Sequence, residues 1–201
     1  MKLSKERRDR AWNEALTWDQ FLTTMKVNRD AIEANYAGYE LTAGDKAFLA
    51  GLPGTTDVLA LAHDWCGDVV ANLPLFAKIE AETGKLRLRI IPKDPDNVDI
   101  ARLYPHPDGD IHIPIYVFYD AHGKEKGHFI ERTVEMTDQI GLWILQFWRD
   151  HPHWQGQGQD FSALAPDVRQ ALLAKLNHER PQQREREKRT ILKLLGDLLA
   201  S

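Results

Sequence analysis

Apolar residues recur at helical spacing in the first part of the chain and gather into short runs in the middle. Over residues 5–35, Trp12, Leu16, Phe21, Leu22 and Met25 fall roughly on an i, i+4 face, which predicts helix. Thr42-Ala43-Gly44-Asp45 resembles a capping box with a shorter acid than usual, opening a brief helix through Leu49. Gly51-Leu52-Pro53-Gly54 ends it. The apolar run at 57–62 fits a buried strand or part of a buried helix by periodicity alone; the Pro-Gly before it and the helix signals after it favour a strand. A helix is predicted over 66–82, with Val69, Val70, Leu73, Phe76, Ala77 and Ile79 facing inward, Pro74 kinking it and Thr83-Gly84 closing it.

Leu86-Arg87-Leu88-Arg89-Ile90-Ile91 alternates and then runs apolar, as a strand does, and Pro92 stops it. A polar helix or loop is expected over 95–103, and the Pro- and Gly-rich segment 104–110 reads as loop. Residues 113–119 form the next strand, Asp120-Ala121-His122-Gly123 a hairpin turn, and 127–132 the return strand. A helix follows over 136–149. The order is strand, helix, strand, helix or loop, strand, strand, helix. It predicts an α/β fold with a mixed central sheet flanked by helices. Residues 151–160 read as a linker before two amphipathic helices, one carrying Val168, Leu172, Leu173 and Leu176, the other Ile191, Leu194, Leu195, Leu198 and Leu199. These leucine faces fit packing against the domain or, if exposed, a dimer interface. The alternating charges of 184–189 read as a solvated helix face. The division expected is a helical extension over 1–54, the α/β domain over 55–150, and a linker with C-terminal helices over 151–201.

Composition narrows the function classes. The 201 residues suit one domain with appendages. A net charge of −4 gives no global basic field for nucleic acid, and the arginines near the C-terminus are interleaved with glutamates and lack stacking aromatics. No window approaches the roughly 18 consecutive apolar residues of a membrane span, and the first residues carry charge rather than a leader's apolar stretch. One cysteine and no disulfide framework fit a reducing compartment, so a cytoplasmic location is expected. No cofactor is implied. His151-Pro152-His153 and His63-x-x-Cys66 fall short of the three or four convergent ligands that zinc requires, so no metal is expected. Tyr104, His106 and His112 flank the Ile113-Pro114 segment and are candidates for lining a pocket.

The lone Cys66 is the candidate nucleophile. It stands in Ala62-His63-Asp64-Trp65-Cys66-Gly67-Asp68-Val69, between the strand and the helix. At a helix N-terminus, free N–H groups and the dipole favour thiolate. Asp68 pulls the other way, with Asp64 a candidate to add to it, and a protonated His63 aimed at the sulfur would offset them, so the balance is open from sequence. The plain alternative is a small buried hydrophobe.

Trp65-Cys66-Gly67 at the strand–helix junction resembles the start of the thioredoxin motif Trp-Cys-Gly-Pro-Cys. Three further matches are Pro74 in the following helix, Ile113-Pro114 before an apolar strand, like the family's cis-proline loop, and Gly123 in the hairpin. The match covers about residues 55–150, and the whole chain looks like a bacterial group of thioredoxin-like proteins with a Trp-Cys-Gly-Asp motif. The resemblance implies a thioredoxin-like fold with Cys66 as nucleophile, Trp65, Gly67, Asp68 and Val69 completing the motif, and Ile113 and Pro114 binding substrate. Three departures matter. Asp68 replaces the motif proline, Val69 the second cysteine, and Ala60 the buried aspartate that helps move protons. Dithiol reduction is therefore not expected. What remains is a monothiol thiol–disulfide oxidoreductase needing a low-molecular-weight thiol or a protein thiol/disulfide partner. A non-catalytic binding scaffold and a peroxide-reactive thiol are the alternatives.

Overall fold

A computed structural model of the chain describes residues 2–200. Its helices begin where side chains take up the first free backbone N–H groups. Ser4 caps α1 (Lys5–Glu14) by accepting from the Arg7 amide. Thr17 and Gln20 form a capping box on α2 (Trp18–Thr24). Thr42 and Asp45 form another on α4 (Ala43–Gly51). Between them α3 spans Arg29–Gly38.

The helix expected over residues 5–35 is therefore three helices. Ala15 is extended at the end of α1, and Leu16 exchanges two 2.8 Å backbone hydrogen bonds with Ile90. A second break, at Lys26–Asn28, is held by Asp64, whose carboxylate accepts from the Lys26 and Val27 amides at 2.6 and 3.1 Å. The apolar spacing continues through both breaks because each segment packs on the same core.

The sheet runs in the order β2-β1-β3-β4. β1 (Thr56–Ala62) pairs parallel with β2 (Leu86–Pro92) and antiparallel with β3 (Ile115–Tyr119), which pairs antiparallel with β4 (Glu125–Ile130). From Val58 on, β1 is continuously apolar because both its faces are covered. Val58, Ala60 and Ala62 join the larger core, while Leu59 and Leu61 join a second cluster with Tyr104, Ile115 and Val117. β4 starts two residues earlier than expected. The Asp120 carboxylate accepts from the His122 and Lys124 amides, which closes the turn by residue 124.

α5 (Gly67–Thr83) is buried along most of its length. Pro74 lies inside it and has no N–H to give the Val70 carbonyl one turn back. Asn35 on α3 supplies the missing donor at 2.9 Å, and the Tyr39 hydroxyl donates to the next carbonyl, Ala71, at 3.1 Å. α3 is thus fitted to the proline position of α5. The segment expected over 95–103 contains the short α6 (Val98–Ala101).

α7 (Val134–Asp150) leads into residues expected as a plain linker. Trp154 instead packs on a small third core formed by Phe147, Trp148, Leu164, Val168 and Leu172, so the segment is tied to α7 and α8 (Pro166–Glu179). A 3-10 turn at Arg180–Gln183 joins α8 to α9 (Arg184–Leu199), which lays Ile191, Leu192, Leu195 and Leu199 on the main core.

The solvated charged face expected over 184–189 is overturned at two residues. Glu187 and Lys188 are 2% and 1% exposed. Lys188 donates to the Glu40 carbonyl at 2.8 Å and pairs with Asp45 and Glu185. Alternating charge does show a solvent face when nothing else is near, but here the N-terminal helices present partners to it.

Candidate active site

Cys66 is the N-cap residue of α5, placed there by the extended end of β1 and the turn 63–66. Its carbonyl accepts from the Val70 amide to start the helix. Its Sγ lies 3.3 Å from the Ile113 carbonyl oxygen, with the thiol as donor. The Ile113–Pro114 peptide is cis. The loop before β3 and the start of α5, 47 residues apart in sequence, thus meet at the sulfur.

Trp65 is 60% exposed and stacks on His63, their ring centroids 5.4 Å apart. It stands at the rim with Gly67, beside a cleft of about 360 Å³ that extends to Asn35 on α3 and to Leu173, Arg180 and Arg184 on the C-terminal elements. Val69, at the position of the family's second cysteine, is fully buried in the main core. Ala60 is also fully buried, opposite Tyr116 in the sheet.

Asp68 does more than counter a helix dipole. It is buried and receives a two-pronged hydrogen bond from Arg132, at 2.8 and 2.6 Å, and another from Arg180. Arg180 reaches on to Glu187 at 2.7 Å. Burial disfavours the Asp68 charge, but Arg180 and Arg132 outweigh it and hold its pKa below the ordinary carboxylate value. This network ties the site to the C-terminal helices.

A second network sets the proline loop. Glu131, in the left-handed region at φ +60°, donates its amide to the Pro114 carbonyl at 2.7 Å. Its own carbonyl accepts from Asn72 of α5 at 2.7 Å, and the Asn72 side-chain oxygen accepts from the Tyr116 hydroxyl. Asn72 and Tyr116 are completely buried, so these bonds have no water to replace them.

The open question of the thiol's pKa is decided by burial, which pushes Cys66 up. The Asp68 carboxylate adds to the rise, the Val69 and Asp68 amides oppose it, and Glu131 adds a further upward push. Asp64 and His63 do not enter as expected. Asp64 is occupied by the Lys26 and Val27 amides. His63 accepts from the Asp94 amide at 3.2 Å instead of facing the sulfur.

Of the three pocket candidates, Tyr104 is fully buried with its ring near His128, so it is core. His106 and His112 do come together, their rings 4.3 Å apart. Arg132, Arg180, Asn72, Tyr116 and Glu131 carried no local motif. The contacts of Asn72 with Tyr116 and Glu131, and of Asp68 with Arg132 and Arg180, span 44 to 112 residues, beyond any spacing a single sequence displays.

A family profile described as thioredoxin matches residues 15–144. The chain belongs to the thioredoxin family. Two solved structures share the fold. One is an HIV epitope-scaffold, 18% identical, covering 62% of this chain and 76% of its own, with a TM-score of 0.54. The other is a protein of unknown function from Pseudomonas aeruginosa, 15% identical, covering 88% of this chain and 99% of its own, with a TM-score of 0.57. No curated protein matches. Among the described residues, no helix of this thioredoxin-family chain is long and apolar enough to cross a membrane.

Proposed function

We propose that this thioredoxin-family chain is a single-cysteine thiol–disulfide exchange protein acting through Cys66. The observation that carries the reading is the meeting of the Cys66 sulfur with the Ile113 carbonyl, beside Pro114 and the exposed Trp65. In the exchange, the Cys66 thiol loses its proton to solvent and the thiolate attacks one sulfur of a disulfide. The Cys66–S bond forms as the old S–S bond breaks, and the leaving thiolate takes up a proton. With no second cysteine in the chain, an outside thiol attacks the mixed disulfide and restores Cys66. The partner is a low-molecular-weight thiol or a protein thiol, and the compartment is a reducing one.

The resting thiol is a weak nucleophile in this reading. An ordinary cysteine is only about 3% thiolate at pH 7, given a pKa near 8.5, and the burial and acidic neighbours of Cys66 lower that share. Exchange is therefore slow until a substrate replaces the thiol's contact with Ile113. The raised pKa also favours a second reading, a binding scaffold that uses the Trp65 cleft without turnover.

Incubation with oxidised glutathione, read by intact mass, separates the two. The redox reading expects one glutathione adduct, reversed by added thiol and absent in Cys66→Ser. A folded chain that never acquires the adduct, while the denatured chain does, would overturn the exchange reading in favour of the scaffold.

A further inference from the structure

We propose that His106, Asp108 and His112, in the loop between α6 and β3, form a binding site for a divalent transition-metal ion of the zinc class. The loop itself brings the three together. The His106 amide donates to the Asp110 carbonyl at 2.9 Å, and the Gly109 amide donates back to the His106 carbonyl at 2.8 Å. Asp108 uses one carboxylate oxygen, Oδ1, to accept from the Asp110 amide at 2.9 Å. Its other oxygen, Oδ2, lies 2.9 Å from His106 Nδ1 and 2.9 Å from His112 Nε2. The two nitrogens and a carboxylate oxygen all lie within 4.8 Å of one another.

The other faces of the two rings carry the argument. His112 Nδ1 lies 3.2 Å from Glu131 Oε2, and His106 Nε2 lies 3.9 Å from the same oxygen. A neutral imidazole has one N–H and one lone pair. With the N–H of His112 turned to Glu131, its Nε2 lone pair faces the Asp108 oxygen at 2.9 Å, a contact satisfied by a second proton on the ring or by a metal ion between the two, and the metal titration below distinguishes them. His106 Nδ1 is sealed from solvent and makes no hydrogen bond, despite its closeness to Asp108. A carboxylate behind a metal-binding histidine is the arrangement that fixes its tautomer and orientation. Bonds of about 2.0–2.1 Å to nitrogen and oxygen put neighbouring ligand atoms about 2.9–3.4 Å apart, which suits the two 2.9 Å spacings between Asp108 Oδ2 and the histidine nitrogens. Three protein donors leave a further position for water. The two histidines are about 30% exposed and Asp108 more so, which leaves an ion a path in.

Cys66 contributes no ligand atom to this group, and the proposal does not depend on the exchange reading. The test is equilibrium dialysis of the full, chelator-treated chain against Zn2+, with elemental analysis, and a Co2+ titration followed by visible absorption. One equivalent is expected per chain, with ligand-field bands on Co2+ loading. Asp108→Asn and His112→Ala should each weaken binding about tenfold or more with far-UV circular dichroism unchanged, while Cys66→Ser binds as the wild type does. Asp108→Asn changes an exposed side chain, so it keeps the test sound if His112→Ala misfolds. The proposal is overturned if the wild type binds no more tightly than folded Asp108→Asn, or if binding disappears in Cys66→Ser.

Discussion

Replacing Arg180 with methionine tests whether the C-terminal turn is part of the site or merely beside it. Arg180 bridges Asp68 at the start of α5 and Glu187 at the start of α9. All three side chains are at most 12% exposed. Removing one member of a buried ion pair costs about 3–5 kcal/mol, because the charge left behind loses its partner without regaining water. Asp68 keeps its fork with Arg132, so the lower end, about 3 kcal/mol, is the expectation. For a chain of this size that is a fall in Tm of about 6–12 °C. Urea unfolding followed by fluorescence measures it, with Arg149→Met on the exposed end of α7 as a control expected within about 0.5 kcal/mol. Arg180→Lys keeps the charge but cannot reach both acids in a fork, so it should fall between. A loss under about 1 kcal/mol for Arg180→Met would refute the reasoning and class the network with surface pairs.

Three further outcomes follow from the same contacts. Leu195→Ala, at a fully buried position of α9, should cost about 2–5 kcal/mol in urea unfolding, as a core residue does and an exposed interface residue does not. Asn72→Ala should cost about 1–3 kcal/mol by stranding the Tyr116 hydroxyl, and less in a Tyr116→Phe background; equal losses in both backgrounds would deny the coupling. Asp68→Asn removes a like charge from beside the thiol, so the midpoint of Cys66 alkylation against pH should move down.

The order of strands and helices along the chain was legible because the strands are separated by strong punctuation. Pro53-Gly54 precedes β1, Thr83-Gly84 closes α5, and Asp120 to Gly123 turns the hairpin. The capping box at Thr42 was equally plain. The two breaks in the N-terminal helices were hidden because their causes are distant. Leu16 leaves the helix to pair with Ile90, and the Lys26 turn is held by Asp64. Tertiary partners overrode a pattern that looked continuous. The same holds at the site. Cys66, Trp65 and Pro114 carried a motif, whereas Arg132, Arg180 and Glu131 had only ordinary surroundings in sequence. The charge run at 184–189 misled for a related reason. Its alternation does not reveal that Arg180 and Asp45 wait on other elements for Glu187 and Lys188.

The most direct measurement is the rate of disulfide exchange at Cys66 against pH, with oxidised glutathione and the folded chain. The account predicts exchange confined to Cys66, absent in Cys66→Ser, slow at pH 7, and rising with a midpoint above the ordinary cysteine value of about 8.5. No exchange by the folded chain at any pH at which it stays folded, with normal exchange once denatured, would contradict it.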